Sequence, residues 1–188
     1  MKKLVRKTKE TKVEIALART SGAGLSEVHV STGLKFFDHM LTTLFRYAGL
    51  DCRLVAEGDL THHVMEDVAI TAGRAVRTIL PRAAARFGER TIPMDDALVH
   101  AVIDAGGRFY FAGKLPSRLY THVLRSFADS LGATLHVRIL AGEDRHHIIE
   151  AAFKATGLAL RQAMSDTGGE VFSLKGTEEI ASDDTEQA

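Results

Sequence analysis

A single cysteine, Cys52, is all the thiol the chain holds. One thiol closes no internal disulfide and builds no thiolate zinc site, which places the protein in a reducing compartment, the cytoplasm. An excess of either charge is missing too: Lys and Arg number 24, Asp and Glu number 24, and the net charge is zero. Binders of nucleic acid or of acidic membranes carry a basic surplus, so neither partner is expected. No apolar run approaches the roughly 18 residues that span a bilayer. The basic start, MKKLVRKTKETK, has no apolar stretch behind it and is not expected to act as a secretory signal. The composition also excludes disorder as the main state: of 188 residues, 45% are hydrophobic and 26% charged, ordinary proportions for a folded domain.

Histidine, by contrast, is plentiful. Nine are present, four of them in two doublets. His62-His63-Val64-Met65-Glu66 is matched 84 positions later by His146-His147-Ile148-Ile149-Glu150. Each doublet opens an expected helix, where positions i and i+4 share a face, so His62 meets Glu66 and His146 meets Glu150. The second histidine of each doublet points about 100° away and serves a different partner. One doublet therefore implies two metals, or one metal and a base; two doublets imply a dinuclear site fed by both copies. Imidazole with carboxylate suits manganese, iron or zinc. His39, behind Asp38, and His136, on a strand with Arg138, are further candidates. His29, His100 and His122 have no such context and are taken as ordinary.

The doublets belong to a longer repeat. The chain reads as strands at 10–18 and 25–30, a helix at 36–48, a strand at 51–57 and a helix at 62–80. It then reads as strands at 96–104 and 108–113, a helix at 117–131, a strand at 133–140 and a helix at 146–165. Thr11 to Leu17 alternates polar and apolar, as a half-buried strand does. Ala105-Gly106-Gly107 between two such runs predicts a hairpin. Gly49 and Gly132 stand where helices hand over to strands. On the strand around 135, Leu135, Val137 and Ile139 face the helices while His136 and Arg138 face away. The expected fold class is α+β, a duplicated ββαβα half-domain. Each sheet carries both helices on one face, with its other face left for the other half or for another subunit. The halves are placed at 1–92 and 93–176, with an acidic, disordered tail at 177–188.

The residues resemble those of the imidazoleglycerol-phosphate dehydratases. The matching stretches are Glu10-Thr11, Phe36-Phe37-Asp38-His39-Met40-Leu41, the first doublet through Asp67, Arg86-Phe87-Gly88 and Pro93-Met94-Asp95-Asp96-Ala97-Leu98. They continue through Gly107-Arg108, Leu135-His136-Val137, the second doublet through Phe153-Lys154-Ala155, and Ser173-Leu174-Lys175-Gly176. The resemblance implies a hydro-lyase of histidine biosynthesis that converts D-erythro-imidazole glycerol phosphate to imidazole acetol phosphate. It implies two Mn²⁺ ions held by His39, His62, His63, Glu66, His136, His146, His147 and Glu150. Substrate contacts are implied for Glu10, Arg86, Arg108, Ser173 and Lys175 as well as for the ligands His39, His62, His63 and Glu66. Acid/base roles are implied for Glu10, Glu66 and Glu150. A cage of 24 subunits with sites at subunit interfaces is implied as well.

The chemistry is consistent with that ligand set. The leaving proton has no neighbouring carbonyl, so the substrate's imidazole must take up the electron density, and divalent cations on its ring nitrogens make that possible. Arginine grips phosphate oxygens in pairs and lysine adds a point charge. The competing readings are a dinuclear phosphohydrolase, which ordinarily relies on several aspartates, and a metal-storing oligomer without turnover.

Overall fold

The computed structural model describes residues 1–21 and 25–169. Ser173, Lys175 and the expected tail at 177–188 lie outside the described residues.

Alternation builds the strands. In β2 (Thr11–Arg19) Val13, Ile15 and Leu17 are buried, and in β4 (Leu50–Gly58) Leu50, Cys52, Leu54 and Ala56 are buried. These two strands pair antiparallel through their whole length. β3 (Val28–Ser31) then runs parallel to β4, and the connection between them is α1 (Lys35–Ala48). A parallel neighbour needs such a crossover, and the crossover covers one face of the sheet. α1 ends on Gly49, whose φ of 69° is left-handed, so its amide turns back to the helix carbonyls. α2 (Thr61–Arg77) follows β4 and lies on the same face.

The second half repeats the plan. β6 (Ala97–Asp104), β7 (Tyr110–Ala112), α3 (Arg118–Leu131), β8 (Thr134–Ala141) and α4 (Arg145–Ala163) succeed one another. α3 again stops on a left-handed glycine, Gly132. Each half gains a strand ahead of the expected unit, β1 (Lys2–Lys7) and β5 (Phe87–Met94), giving sheet orders β1-β2-β4-β3 and β5-β6-β8-β7. Both are edge strands. β5 crosses the boundary expected at 92/93 and pairs with β6 over its full length.

The expected hairpin of 97–104 with 108–113 does not form. Gly106 does turn the chain with a φ of 87°, but β8 inserts between β6 and β7, antiparallel to one and parallel to the other. Leu135 and Val137 of β8 are buried toward the helices and His136 and Arg138 face away, as the alternation predicts. Ile139 departs from it and is 37% exposed, next to the point where the pairing with β6 shifts register between Leu98 and Val99.

The two halves meet through their helices. α2 lies along α3 and α1 along α4, so one layer of four helices is held between two sheets. Both crossings are made at a glycine. A Cβ on Gly73 would stand 2.4 Å from the Phe127 carbonyl oxygen, and one on Gly157 2.6 Å from that of Leu44. These glycines are 84 positions apart, and each lies 11 residues past the first histidine of its doublet. Among the described residues, the outer sheet faces carry no helix, and Val5, Val55, Tyr110 and Leu140 are exposed there.

Asp67 ties the first sheet to α2. Its buried carboxylate accepts from Arg6 Nε at 3.0 Å and from the Thr11 hydroxyl. Burial alone would push this carboxyl up, but Thr11 and Arg6 hold it below the usual carboxylate range.

The glycine crossings give a direct check. Gly157→Ala forces α1 and α4 apart against a backbone carbonyl that cannot rotate away. The expected loss is about 1–3 kcal/mol, read as a fall in melting temperature of roughly 2–4 °C per kcal/mol. Gly73→Ala should lose a comparable amount and add to it, since the two crossings share no partner.

Candidate metal centre

The helix layer fixes where the histidines go. α2 and α4 each begin at a doublet, and each N-terminal turn lies beside a helix of the other half. His39 stands five residues into α1 and His122 five residues into α3. Two groups result, each joining residues from both halves. In one, His39, His146 and Glu150 bring ligand atoms within 4.8 Å of one another; in the other, His62, Glu66 and His122 do the same.

The first group is centred on Glu150, whose side chain is only 9% exposed. Its Oε2 lies 3.1 Å from His146 Nε2 and 3.4 Å from His39 Nε2. Its Oε1 accepts from Lys154 Nζ at 2.9 Å. Burial would push the Glu150 carboxyl up, but Lys154, with His39 and His146, outweighs it and holds the group below its ordinary range. The Phe36 ring packs on His146 at 4.9 Å between centroids.

The second group is more open. Glu66 Oε1 lies 3.0 Å from His122 Nε2, and Glu66 Oε2 lies 3.7 Å from His62 Nε2. The His62 and His122 rings stack at 5.3 Å with 18° between their planes.

The second histidine of each doublet turns away from these groups, as the helical angle requires. His63 Nδ1 donates to Asp59 Oδ1 at 2.9 Å, with Glu10 Oε2 3.6 Å away. His147 Nδ1 donates to Asp96 Oδ1 at 2.6 Å, and its Nε2 lies 3.2 Å from Asp95 Oδ2. A carboxylate only accepts, so each Nδ1 carries the proton. Asp96 is itself pinned, because its Oδ2 accepts from the backbone amides of Glu143 and Asp144 at 2.6 and 3.0 Å. Asp144 in turn caps α4, accepting from the His146 and His147 amides. The turn between β5 and β6 is thereby fastened to the start of α4. The Glu143 amide, His147 and the Asp144 amide drive the Asp96 carboxyl well below the usual range, and Asp96 raises His147 above the ordinary imidazole value.

The other predicted residues sit elsewhere. His136 joins neither group and packs against the Tyr110 ring on the outer face of the second sheet, at 5.6 Å between centroids. Arg86 holds Asp104 through Nε at 3.1 Å and Nη2 at 2.9 Å, and its Nη2 lies 3.5 Å from where a Cβ on Gly107 would stand. Arg86 is thus beside the turn that carries Arg108. That turn is at one end of β5 and β6, whereas His147 and Asp96 are at the other. Eight residues of strand separate them, about 25 Å.

His122 went unrecognised in the sequence because it has no HHxxE motif of its own. The repeat does mark it: His39 precedes the first doublet by 23 positions and His122 precedes the second by 24. His136 has no such counterpart. Aligning the buried pairs Cys52/Leu54 and Leu135/Val137 sets it against Arg53.

Two imidazoles and a carboxylate form a donor set that fits a divalent metal, and three ligands leave coordination positions open for further donors. Among the described residues, no helix is long and apolar enough to cross a membrane.

Known proteins resemble this chain over most of its length. Residues 32–160 match the sequence model of imidazoleglycerol-phosphate dehydratase. A protein of that name from Caldivirga maquilingensis is 45% identical over 186 residues, covering 91% of this chain and 95% of its own. One from Methanosarcina mazei is 40% identical over 190 residues, covering 93% and 97%. The crystal structure of the Pyrococcus furiosus protein superposes with a TM-score of 0.80 at 38% identity, covering 93% of this chain and all of the other. That from Staphylococcus aureus gives 0.74 at 29% identity, covering 88% and 98%.

The Asp96–His147 pair predicts a measurable titration. His147 is raised in the folded protein, so the pair favours folding while the imidazole is protonated and loses that contribution as pH rises through the folded value. On the acid side the depressed Asp96 keeps its contribution until pH falls through its own low value. Asp96→Asn should return His147 toward its ordinary range, seen by histidine NMR titration of metal-free protein. An unchanged His147 midpoint would show that Asp96 is not its partner.

Proposed function

The chain belongs to the imidazoleglycerol-phosphate dehydratase family, hydro-lyases of histidine biosynthesis that act on a small phosphorylated substrate, and from that membership we propose how its residues divide the work. The reaction is the dehydration of D-erythro-imidazole glycerol phosphate to imidazole acetol phosphate, in the cytoplasm, with two Mn²⁺ ions at each active site. The observation that supports this most is the pair of groups His39/His146/Glu150 and His62/Glu66/His122, related by the internal repeat.

Those six residues would hold the ions, joined by His63 and His147 through Nε2, the ring nitrogen that is not bonded to Asp59 or Asp96. His122 takes the place first given to His136. Bound divalent cations supply the positive charge that lets the substrate imidazole accept electron density as the hydroxyl departs. Glu10, beside His63, is proposed to move a proton at the substrate, with Glu66 and Glu150 as further acid/base candidates. Arg86 and Arg108, with Ser173 and Lys175, are proposed to hold the phosphate.

The geometry also favours a shared site. Within one chain the Arg86 turn and the His147 turn are about a strand length apart, roughly 25 Å, too far for both to grip one small molecule. A second subunit resolves this, in line with a closed assembly of 24 copies. The exposed outer sheet faces supply surface for it. The division between halves is proposed just ahead of β5, near the 1–92 and 93–176 limits, with 177–188 as the tail.

The test is turnover on metal-stripped protein. Restoring Mn²⁺ should restore dehydration of the named substrate, while simple phosphomonoesters stay intact; the reverse pattern would point to a phosphohydrolase. His122→Ala should lower bound Mn²⁺ and activity by at least roughly 10-fold, with His136→Ala keeping the metal content of the parent. If His136→Ala loses the metal and His122→Ala keeps it, the ligand set is misassigned.

A further inference from the structure

Lys154 stands one turn after Glu150 on α4, and its side chain is only 16% exposed. Its ammonium donates to Glu150 Oε1 at 2.9 Å. Its other neighbours are soft: Met94 Sδ at 3.1 Å and the face of the Tyr47 ring, 5.9 Å from the centroid. A cation this deep is costly unless it is paired, and Glu150 is its pair. The carboxylate is therefore divided. One oxygen serves the ammonium, and the other, Oε2, faces His146 and His39.

The internal repeat supplies a control. Four positions after Glu66, where the first half would carry the matching lysine, the residue is Ile70. Glu66 has a side chain 36% exposed, and its neighbours in the donor group are the imidazoles of His62 and His122. Water can solvate Glu66 in the absence of an ion. Glu150 lacks that recourse.

We propose that Lys154 is a positioning residue for Glu150: an internal counter-ion that stands in for the divalent cation when the site is unloaded and holds Oε1 so that Oε2 alone is offered to the ion. This assignment rests on the reading of Glu150 as a metal ligand. Without Lys154, the unloaded protein carries a nearly buried carboxylate that faces only the imidazoles of His39 and His146. A bound dication supplies positive charge there, so loading should repair most of the damage. Lys154 thereby uncouples formation of the α4 end of the site from the presence of metal.

The experiment compares melting temperatures of chelator-treated and Mn²⁺-loaded protein. Lys154→Met keeps the aliphatic bulk of the stem and removes the charge. It should lower the melting temperature of the metal-free protein by about 5 °C or more, and that of the loaded protein by less than half as much. The stabilisation gained on adding Mn²⁺ is then larger in the variant than in the parent. Lys154→Arg should behave as the parent. Where Lys154→Met alone does not fold without metal, the double variant Glu150→Gln/Lys154→Met should fold, because the unpaired charge has gone. Equal losses in both states, or a double variant no better than Lys154→Met, overturn the assignment and leave Lys154 a packing residue. A parent protein that Mn²⁺ does not stabilise overturns the metal reading itself, and the assignment with it.

Discussion

The molecule hangs on two places where helix backbones touch. At Gly73 and Gly157 the absence of a side chain lets α2 lie against α3 and α4 against α1. Helices that close cannot slide or rotate independently, because every nearby side chain is interlocked with its neighbours at close-packed density. Eleven residues before each glycine, a doublet opens the same helix. The crossings therefore place His62 and Glu66 within reach of His122, and His146 and Glu150 within reach of His39. Side chains from four helices become two compact donor groups as a result of backbone spacing set about three turns away.

Charge does the second part of the work, by fastening the ends of elements. Asp67 binds β1 and β2 to α2, and Asp96 binds the β5–β6 turn to the start of α4. Each carboxylate accepts several donors at once, so its geometry is over-determined and its ionised form favoured. The imidazoles of His63 and His147, bonded through Nδ1 to Asp59 and Asp96, are held in one tautomer and one orientation. A donor group fixed in this way loses little entropy when it takes a ligand.

Much of this was legible in the sequence, and the failures have physical causes. Strands with a buried side announce themselves by alternation, so β2, β4, β6 and β8 were readable. β1 and β5 are edge strands whose side chains are mostly exposed. With lysine and arginine in one and Gly88 and Pro93 in the other, neither carries a strong period, as is common for sheet edges. The hairpin expected from Gly106 failed because a turn residue records that the chain reverses, not which strand will fill the gap beside it. β8 filled it. The doublets were found because five residues repeat together. His122 was hidden because its contribution depends on a helix crossing, and a crossing is a long-range property of paired surfaces. His136 attracted attention as a polar residue on a strand, yet it faces outward to Tyr110.

The helix layer also bears on how such a chain arises. Every contact that closes it runs from one half to the other, Gly73 to Phe127 and Gly157 to Leu44. A half-chain on its own would expose the helical face that the other half now covers, and would lack two members of one donor group and one of the other. Its smallest complete form is a twofold dimer of identical units. Joining two copies end to end turns that encounter between molecules into a tethered one, at an effective concentration set by the linker rather than by expression level. It also ends the requirement that both copies be alike. Lys154 opposite Ile70, and Asp67 opposite Ala151, show two copies of one ancestral surface that have since been tuned separately.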